Sequence, residues 1–363
     1  MNTIRTPALG VIEGFFGRSW SWSERQAYAK FLALNEFNFY IYAPKNDAFL
    51  RKHWQLDWPC NIKQELIELR ETYRTAKIAF GIGLSPHEIY IDNSPTSAHM
   101  KRLQLTARVK QLNDLSPDIL CLLFDDMRGD IPNLANLQID YMHQVAELST
   151  AKRIIFCPTY YSFDPVLEKV FGKMPDNYWQ DLNKNLDKKI DIFWTGEKVC
   201  SAEYSVHHLA HVSELLGRKP FLWDNYPVND SAMKSKLLHL RPVNQSHSQI
   251  QNHVAGHALN PMNQPSLSQL ALASLPRAYR ERDHYNSEKV FVEIASELCG
   301  EELAEVLLQD LPLLQDKGLG KISEDEKAEL LKRYSAFPQN VFCMEIVDWL
   351  HGGYVFDPAC LTE

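Results

Sequence analysis

Eight short apolar runs alternate with segments that carry helix signals, from residue 9 to about residue 279. This alternation predicts parallel strands joined by helical crossovers, and eight is the number of strands that closes a (β/α)8 barrel. The predicted strands cover residues 9–17, 37–45, 77–85, 118–126, 153–161, 191–196, 220–230 and 255–262. The predicted fold class is therefore α/β, a (β/α)8 TIM barrel.

Helix signals fill the intervals between the predicted strands. In the stretch SWSERQAYAKFLALN, Ser21 or Ser23 is the expected N-cap, and Phe31 and Leu34 lie on the apolar face. Further helices are predicted over residues 64–75, 98–115, 134–148, 206–216 and 266–280. Beyond residue 282 only amphipathic helical patterns remain, over residues 287–315 and 323–337. We therefore predict a barrel domain over residues 1–282 and a small C-terminal α-helical annex over residues 283–363, for packing or dimerisation.

The charge and the cysteine content limit the classes of binding partner and the cellular compartment that we expect for this protein. The 363 residues carry 38 lysines and arginines against 46 aspartates and glutamates, a formal net charge of −8. Such acidity disfavours nucleic acid or an anionic membrane as the main partner. The N-terminal sequence lacks the pattern of a signal peptide, and no apolar run approaches the roughly 18 residues of a membrane span. The seven cysteines form no CxxC pair, so we expect a cytoplasmic protein without structural zinc.

Polar and aromatic residues collect where the predicted strands end. The loops after the strands of a (β/α)8 barrel converge over its mouth, where such folds carry their chemistry. The residues in these positions are Glu13, Gly14, Arg18, Lys45, Asn46, Asp47, Asp125, Asp126, Tyr160, Tyr161, Ser162, Trp194, Thr195, Trp223, Asp224, Asn225, Asp230 and Asn260. Aromatic faces pack on pyranose rings, while carboxylates and amides bind hydroxyls. The set therefore indicates a sugar site.

Asp125 and Asp126 are unusual because they directly follow the apolar stretch ILCLLF. Burying neighbouring carboxylates is costly, and their repulsion separates their proton affinities, so that one can be ionised while the other keeps its proton. Glycoside hydrolysis needs an acid for the leaving group and a negative group for the oxocarbenium-like centre. Groups this close suit a variant in which one carboxylate handles a substituent of the sugar and a 2-acetamido group is the nucleophile. The alternative without chemistry is a strand-end turn or a helix N-cap pair.

Seven segments in chain order resemble the catalytic domain of the family 84 glycoside hydrolases, the O-GlcNAcases and bacterial β-N-acetylglucosaminidases. They are GVIEGFFGRSWSW, YIYAPKND, LLFDDM, FCPTYYS, WTGEKVCS, LWDNYPVND and LNPMNQ, and they cover about residues 9–280. The resemblance implies a retaining exo-β-N-acetylglucosaminidase with substrate-assisted catalysis, an oxazoline intermediate, and neither cofactor nor metal. The implied partner is a glycoconjugate with β-linked N-acetylglucosamine, on protein serine or threonine or on another aglycone. A homodimer is also considered, and neither nucleic acid nor a membrane is expected.

The resemblance also implies roles for single residues. Asp125 would orient and polarise the acetamide N–H, and Asp126 would be the general acid and then the general base. The implied substrate-binding residues are Gly14 (through its backbone), Lys45, Asp230 and Asn260 at the ring hydroxyls, Tyr161 at the acetamido oxygen, Asn225 beside it, and Trp223 with Thr195 at the acetyl methyl. Two positions depart from the family's usual motifs, since Phe16 replaces a tyrosine and Tyr160 replaces a glutamate. These departures bear on leaving-group or polypeptide preference more than on the chemistry.

Other functions also fit parts of the sequence. A catalytically silent sugar-binding barrel would use the same aromatic and amide residues, and a hexosaminidase for glycan or peptidoglycan fragments would share the chemistry with another aglycone. A metal-dependent hydrolase would need ligands such as the histidines of YSVHHLAHV, or His247, His253 and His257. No HExxH glutamate accompanies the first group, whose predicted helix lies outside the barrel. Packed or solvated histidines are the simpler interpretation.

Overall fold

The computed structural model describes residues 7–92 and 94–361. Eight parallel strands form a closed barrel in chain order, with the first strand paired to both the second and the eighth. The strands are β1 (Ala8–Glu13), β2 (Phe39–Tyr42), β3 (Ala79–Leu84), β4 (Ile119–Leu123), β5 (Arg153–Cys157), β6 (Asp191–Trp194), β7 (Phe221–Asp224) and β8 (Gly256–Leu259). Each overlaps one predicted run, so the predicted TIM barrel is confirmed. Most strands end earlier than predicted, because the polar residues that close the predicted runs belong to loops at the mouth.

Helices connect the strands on the outside of the barrel. They are α1 (Trp22–Leu34), α2 (Cys60–Thr75), α3 (Pro95–Asp114), α4 (Leu134–Leu148), α5 (Val166–Phe171), α6 (Tyr178–Asn185), α7 (Val206–Leu216), α8 (Pro265–Leu272) and α9 (Ser274–Glu281). Ser21 is the N-cap of α1 and forms a capping box with Glu24. The helix predicted over residues 266–280 is two helices, and the short helices α5 and α6 were not predicted.

The interior of the barrel is filled by aromatic rings opposite glycines. The ring centroids of Phe39 and Phe221 lie 5.6 Å apart. A Cβ atom at Gly10 would lie 2.4 Å from the Phe39 ring, and one at Gly256 would lie 2.4 Å from the Phe221 ring. Glycine at these two positions therefore makes room for the rings. Below its mouth the barrel is a packed core.

Beyond the barrel the chain is helical, as predicted. The annex consists of α10 (Ser287–Cys299), α11 (Glu301–Leu311), a π-helical segment (Pro312–Lys317), α12 (Glu324–Ser335) and α13 (Val341–Leu350). Helix α10 packs against α8 and α9, and α13, which was not predicted, packs against α8. The domain boundary at residue 282 stays a prediction, as does a role in dimerisation. None of the helices in the described part of the chain is both long and apolar enough to cross a membrane.

Helix α13 is attached to loops on the mouth side of the barrel. Glu345 accepts hydrogen bonds of 2.8 Å from the backbone N–H groups of Ser266 and Leu267, at the start of α8. Asp348 forms an ion pair with Arg18, in the loop after β1. A carboxylate at a helix N-terminus satisfies N–H groups that have no partner within the helix. The annex therefore fixes the loops that follow β1 and β8.

Glu345 is expected to make the stability of the protein depend on pH. Burial raises its pKa from the usual 4.5 to about 7, although the hydrogen bonds from α8 act in the opposite direction. The folded protein thus binds a proton that the unfolded chain has released, so the contribution of this group to stability falls as pH rises from 4.5 to 7. At about 1.4 kcal/mol per pKa unit, the change is about 3 kcal/mol.

Urea unfolding of the wild type and of Glu345→Gln near pH 4 and pH 8 tests this expectation. The free energy of unfolding of the wild type, relative to that of the variant, should fall by about 3 kcal/mol between the two pH values. A difference that does not change with pH would contradict it.

Candidate active site

A cavity lies at the carboxyl ends of the strands. All ten residues predicted for catalysis or substrate binding line it, namely Gly14, Lys45, Asp125, Asp126, Tyr161, Thr195, Trp223, Asn225, Asp230 and Asn260. They lie at or after the ends of seven strands, and β3 contributes none of them. The barrel thus brings together side chains that lie up to about 250 positions apart in the sequence.

The two neighbouring aspartates both reach this cavity because the backbone turns between them. Strand β4 ends at Leu123, and Asp126 has a φ of +58°, in the left-handed region that aspartate tolerates better than most residues. On an extended strand, adjacent side chains would point to opposite faces. The N-cap of the following helix α4 is Asn133. The alternative that the two aspartates form a helix N-cap pair is therefore wrong.

Lys45, from the loop after β2, lies between the two carboxylates. Its Nζ contacts Oδ2 of Asp125 and lies 3.0 Å from Oδ2 of Asp126. Burial lowers the pKa of Lys45, but the two carboxylates outweigh burial and raise the pKa above its usual value. Lys45 therefore carries its charge. A guanidinium nitrogen of Arg51 lies 3.8 Å from Oδ2 of Asp126 and was not predicted, because its position in the loop after β2 carries no pattern.

Asp125 is the more buried of the two aspartates, with 6% of its surface exposed. Burial raises its pKa, the charge of Lys45 opposes this effect, and the neighbouring Asp126 raises the pKa further. Its Oδ1 atom is buried and has no hydrogen-bond partner among the described residues. A buried acceptor without a partner is unfavourable, and such atoms often mark the place of a ligand or a water. Oδ1 of Asp125 is therefore an acceptor that the described residues leave unused.

Amide side chains fix the wall between β7, β8 and β1. Oδ1 of Asn225 accepts hydrogen bonds from Nε1 of Trp223 (3.1 Å) and Nδ2 of Asn260 (3.0 Å), while its Nδ2 donates to the carbonyl of Val199 (2.8 Å). Oδ1 of Asn260 accepts from the backbone N–H of Gly14 at 3.2 Å. Each amide therefore has one orientation that satisfies its partners. Because the N–H of Gly14 is engaged, a ligand contact of its backbone would use the carbonyl oxygen.

Asp230 and Thr195 complete the predicted set. Oδ2 of Asp230 accepts a hydrogen bond of 2.8 Å from the backbone N–H of Phe16, and burial raises the pKa of Asp230. Oδ1 of Asp230 lies 3.9 Å from Sγ of Cys360. The hydroxyl of Thr195 donates to the carbonyl of Lys198 at 2.8 Å. The cavity therefore presents carboxylate, amide, ammonium and aromatic groups, a combination that binds hydroxyls and an amide and can transfer a proton.

A sequence model of the β-N-acetylglucosaminidase family matches residues 9–310, which is most of the chain. The chain belongs to this family. The resemblance to glycoside hydrolase family 84, seen in its seven motifs, is thereby confirmed.

Two similar proteins from mammals belong to the same group of enzymes. The chain is 27% identical over 281 residues to proteins named Protein O-GlcNAcase from Rattus norvegicus and from Mus musculus. These matches cover 75% of this chain but 30% of each relative, so the chain spans about a third of the length of these curated relatives.

Two solved structures are similar to the fold. An aspartate-to-asparagine mutant of the O-GlcNAc hydrolase of Thermobaculum terrenum has a TM-score of 0.77 and is 27% identical, over 94% of this chain and 80% of that chain. The structure called CpGH84B has a TM-score of 0.73 and is 24% identical, over 91% of this chain and 58% of that chain, and shows the fold alone.

Six cavity residues of this β-N-acetylglucosaminidase family member were not predicted as ligands. They are Phe16, Cys157, Val199, Cys200, Val228 and Cys360. Five of them are small apolar residues or cysteines without a signal, and Cys360 comes from the segment after α13, which the barrel pattern does not place. Of the two departures from the family motifs, Phe16 lines the cavity. Tyr160 instead donates a hydrogen bond of 2.6 Å to the carbonyl of Gly172 and does not line it.

Three of the strand-end residues point away from the cavity. Oε1 of Glu13 is buried 2.6 Å from a guanidinium nitrogen of Arg25, and Trp194 donates a hydrogen bond of 3.0 Å to Nε2 of His208. Asp224 is buried behind β7. Each of them is adjacent in sequence to a residue that lines the cavity, so the alternation of side chains along a strand directs them outward.

Potential metal-ligand atoms of three residues come close together once in residues 7–92 and 94–361. These residues are Asp224, His247 and His257, whose atoms lie within 4.8 Å of one another. None of the three lines the cavity, and hydrogen bonds among them account for the spacing. Neither His253 nor the histidines of α7 belong to such a group.

Proposed function

We propose that this chain is a retaining exo-β-N-acetylglucosaminidase that removes a terminal β-linked N-acetylglucosamine with the help of the sugar's own acetamido group. The observation that carries the proposal is the pair Asp125 and Asp126, whose side chains line one cavity together with the eight residues predicted to bind the sugar. Membership of the β-N-acetylglucosaminidase family supports the reaction class.

In the first step, the acetamide oxygen bonds to the anomeric carbon while the bond from that carbon to the aglycone oxygen breaks. The ionised Asp125 accepts a hydrogen bond from the acetamide N–H through Oδ1, which has no other partner among the described residues. Its negative charge stabilises the positive charge that develops on the acetamide. Asp126 donates its proton to the departing oxygen. The products are a free aglycone and the oxazoline intermediate in its N-protonated form, whose N–H stays hydrogen-bonded to the ionised Asp125.

In the second step, water attacks the anomeric carbon and the bond to the acetamide oxygen breaks. Asp126, now ionised, takes a proton from the water, so the acid of the first step is the base of the second. Each step inverts the anomeric carbon, and the two together retain the β configuration.

Charged neighbours of Asp125 and Asp126 bear on the different protonation states proposed for the two residues. The ammonium of Lys45 contacts Asp125 and favours its ionised form, while the guanidinium of Arg51 lies 3.8 Å from Asp126. Burial and the neighbouring Asp126 both raise the pKa of Asp125, so the pair resists ionising together. The proposal places the proton on Asp126, from which it passes to the leaving group.

Other cavity residues suit recognition of the sugar. We propose that Trp223 and Thr195 contact the acetyl methyl, that Tyr161 binds the acetamido oxygen, and that Asn225 holds this arrangement. Asp230 and Asn260 are suited to the ring hydroxyls.

We propose a protein serine or threonine as the natural aglycone. The support is that the relatives are named Protein O-GlcNAcase and O-GlcNAc hydrolase. All seven cysteines lie within the described ranges and none of them forms a disulfide there, which supports the proposal of a reducing, cytoplasmic location. The predicted homodimer is a further proposal, which the oligomeric state in solution would test.

Turnover of an aryl N-acetyl-β-glucosaminide tests the reaction, with and without a chelator. The N-trifluoroacetyl analogue should react at least about tenfold more slowly, because fluorine withdraws electrons from the attacking amide oxygen. A thiazoline that mimics the oxazoline should inhibit the enzyme, because it resembles the intermediate. Comparing a glycosylated peptide with chitobiose tests the aglycone.

Each alternative gives a different result in these assays. Sugar binding without turnover by the folded protein would favour the silent barrel, and loss of activity with chelator would favour a metal-dependent hydrolase. Equal rates for the acetyl and trifluoroacetyl substrates would contradict the acetamide nucleophile. Cleavage of chitobiose but not of the glycopeptide would favour a hexosaminidase for glycan fragments.

Gly14→Ala is expected to weaken sugar binding. The new Cβ would lie 2.4 Å from Cζ2 of Trp223, so the ring would have to move within the cavity wall. Overpacking typically costs 1–3 kcal/mol, so KM for the aryl substrate should rise about tenfold. Gly320→Ala is the matched control, because its Cβ would lie 3.5 Å from the flexible Lys236 side chain, in ordinary contact. Equal KM values for the two variants would contradict the expectation.

A further inference from the structure

Behind β7, on the face opposite the cavity, Asp224 contacts two histidines. Its Oδ2 lies 2.9 Å from Nε2 of His247 and 3.1 Å from Nε2 of His257. All three side chains are buried. The other oxygen of Asp224, Oδ1, has no hydrogen-bond partner within the described ranges. The two imidazoles therefore provide the hydrogen bonds of Oδ2.

Hydrogen-bond partners fix the protonation of His257. Its Nδ1 lies 2.9 Å from the hydroxyl of Tyr279. Burial raises the pKa of Tyr279 well above its usual value, so the hydroxyl keeps its hydrogen and can donate it to Nδ1. Burial also lowers the pKa of His257. His257 is therefore neutral, with its hydrogen on Nε2, directed at Asp224.

His247 has an acceptor at each ring nitrogen. Its Nδ1 lies 3.1 Å from Oδ1 of Asn244. The amide of Asn244 cannot be reversed, because its Oδ1 accepts from the backbone N–H of Ser246 at 2.9 Å and its Nδ2 donates to the carbonyl of Ala202. Oδ1 of Asn244 also accepts from the hydroxyl of Ser246 at 2.5 Å and has no hydrogen to donate to Nδ1. An oxygen acceptor at Nδ1 and a carboxylate at Nε2 favour a hydrogen on both nitrogens.

Asp224 is the ionised partner in this cluster. Burial raises its pKa, but the hydrogen bonds from His247 and His257 outweigh burial and lower the pKa to about 2. A buried carboxylate with two neutral donors would leave an uncompensated charge, whereas one imidazolium makes the cluster neutral. The edge of the Tyr204 ring faces both imidazoles, with centroid distances of 5.2 Å to His247 and 6.0 Å to His257. Burial and Asp224 raise the pKa of the Tyr204 hydroxyl well above its usual value, so this group interacts with Asp224 but adds no charge.

We propose that His247 is a buried imidazolium that acts as a positioning residue for the acetamide-binding wall. Trp223 and Asn225 flank Asp224 in the chain and line the cavity, while Asp224 points to the opposite face. The ion pair between His247 and Asp224 thus anchors the end of β7 from behind. Without the positive charge, a movement of this strand end would bring the unpaired carboxylate of Asp224 closer to water at the least cost in free energy. This movement would displace Trp223 and Asn225 in the cavity wall.

Nuclear magnetic resonance of the full chain labelled with ¹⁵N-histidine tests the charge directly. The signals of His247, assigned by their absence in His247→Gln, should show hydrogen on both ring nitrogens at pH 7.5. A neutral tautomer would overturn the proposal, and so would one equivalent of zinc in the purified protein, because a metal at Nε2 would replace the hydrogen. This measurement does not depend on activity, so its failure is distinct from failure of the proposed function.

A kinetic test, which rests on the proposed function, examines the positioning. His247→Gln keeps a neutral donor near Asp224 but removes the charge, and we expect KM and the inhibition constant of the thiazoline to rise roughly tenfold. Adding Asp224→Asn removes the unpaired carboxylate and should restore both constants to within about threefold of the wild type. The dependence of kcat/KM on the leaving group should not change, because Asp126 is not affected.

His253→Gln, on the same loop but outside the cluster, is the matched control and should leave these constants unchanged. Losses that simply add in the double variant would overturn the pairing of His247 with Asp224. A steeper dependence on the leaving group would show that the substitution disturbs the site as a whole and would overturn the positioning role.

Discussion

Asp126→Ala is expected to reduce kcat/KM by a factor of about 10²–10⁴ for substrates with poor leaving groups, and much less for activated aryl substrates. A poor leaving oxygen needs a proton while its bond breaks, whereas a nitrophenolate leaves as a stable anion. Asp126 lines the cavity beside Asp125, and in the proposed mechanism it carries the proton for the departing oxygen. A series of aryl N-acetyl-β-glucosaminides that differ in leaving-group pKa checks the expectation.

The plot of log kcat/KM against leaving-group pKa should be steeper for Asp126→Ala than for the wild type. Azide should restore turnover of the activated substrates, because it attacks the oxazoline without the help of a base. Asp130→Ala is the matched control: Asp130 is exposed, pairs with Arg128, and does not line the cavity. Equal losses across the whole series would remove the role of Asp126 as general acid.

The fold could be predicted from the sequence because strands and helices have local patterns of apolar and polar residues. Apolar runs such as residues 118–126 predict a buried strand whatever their partners, and the barrel rule then places all strand ends at one mouth. The ten predicted site residues line one cavity for this reason. Asp125 and Asp126 both reach the cavity because the backbone at Asp126 is left-handed. The sequence pattern allows this conformation but does not require it.

The remaining features depend on side chains that meet only in three dimensions. Arg51 reaches Asp126, and Glu345 caps α8 from 79 residues away. The cluster behind β7 forms because the alternation along the strands turns Asp224 and His257 outward, into the layer beneath α9. Short helices such as α5 and α6 are too brief to show a period. Spacing along the sequence contains no information about such contacts.

Asp125→Asn is expected to lower kcat/KM by a factor of about 10²–10³, equally for good and poor leaving groups. Asparagine preserves the shape of the side chain, and its oxygen can still accept the acetamide N–H, so KM should change little. The neutral amide cannot stabilise the positive charge that develops on the acetamide, and Lys45 loses one of its two carboxylate partners. The loss should therefore appear in kcat. A loss confined to poor leaving groups would exchange the proposed roles of the two aspartates.

The pH profile of the same variant gives an independent check on Asp125. The mechanism needs this carboxyl ionised, and burial raises its pKa above the usual 3.8. Activity of the wild type is then present above the raised pKa and is lost as pH falls through it, at a pH higher than an ordinary aspartate would give. In Asp125→Asn this acidic limb should be missing from the profile of kcat/KM with an activated substrate. The same limb in both proteins would assign the titration to another group and would contradict the ionised role of Asp125.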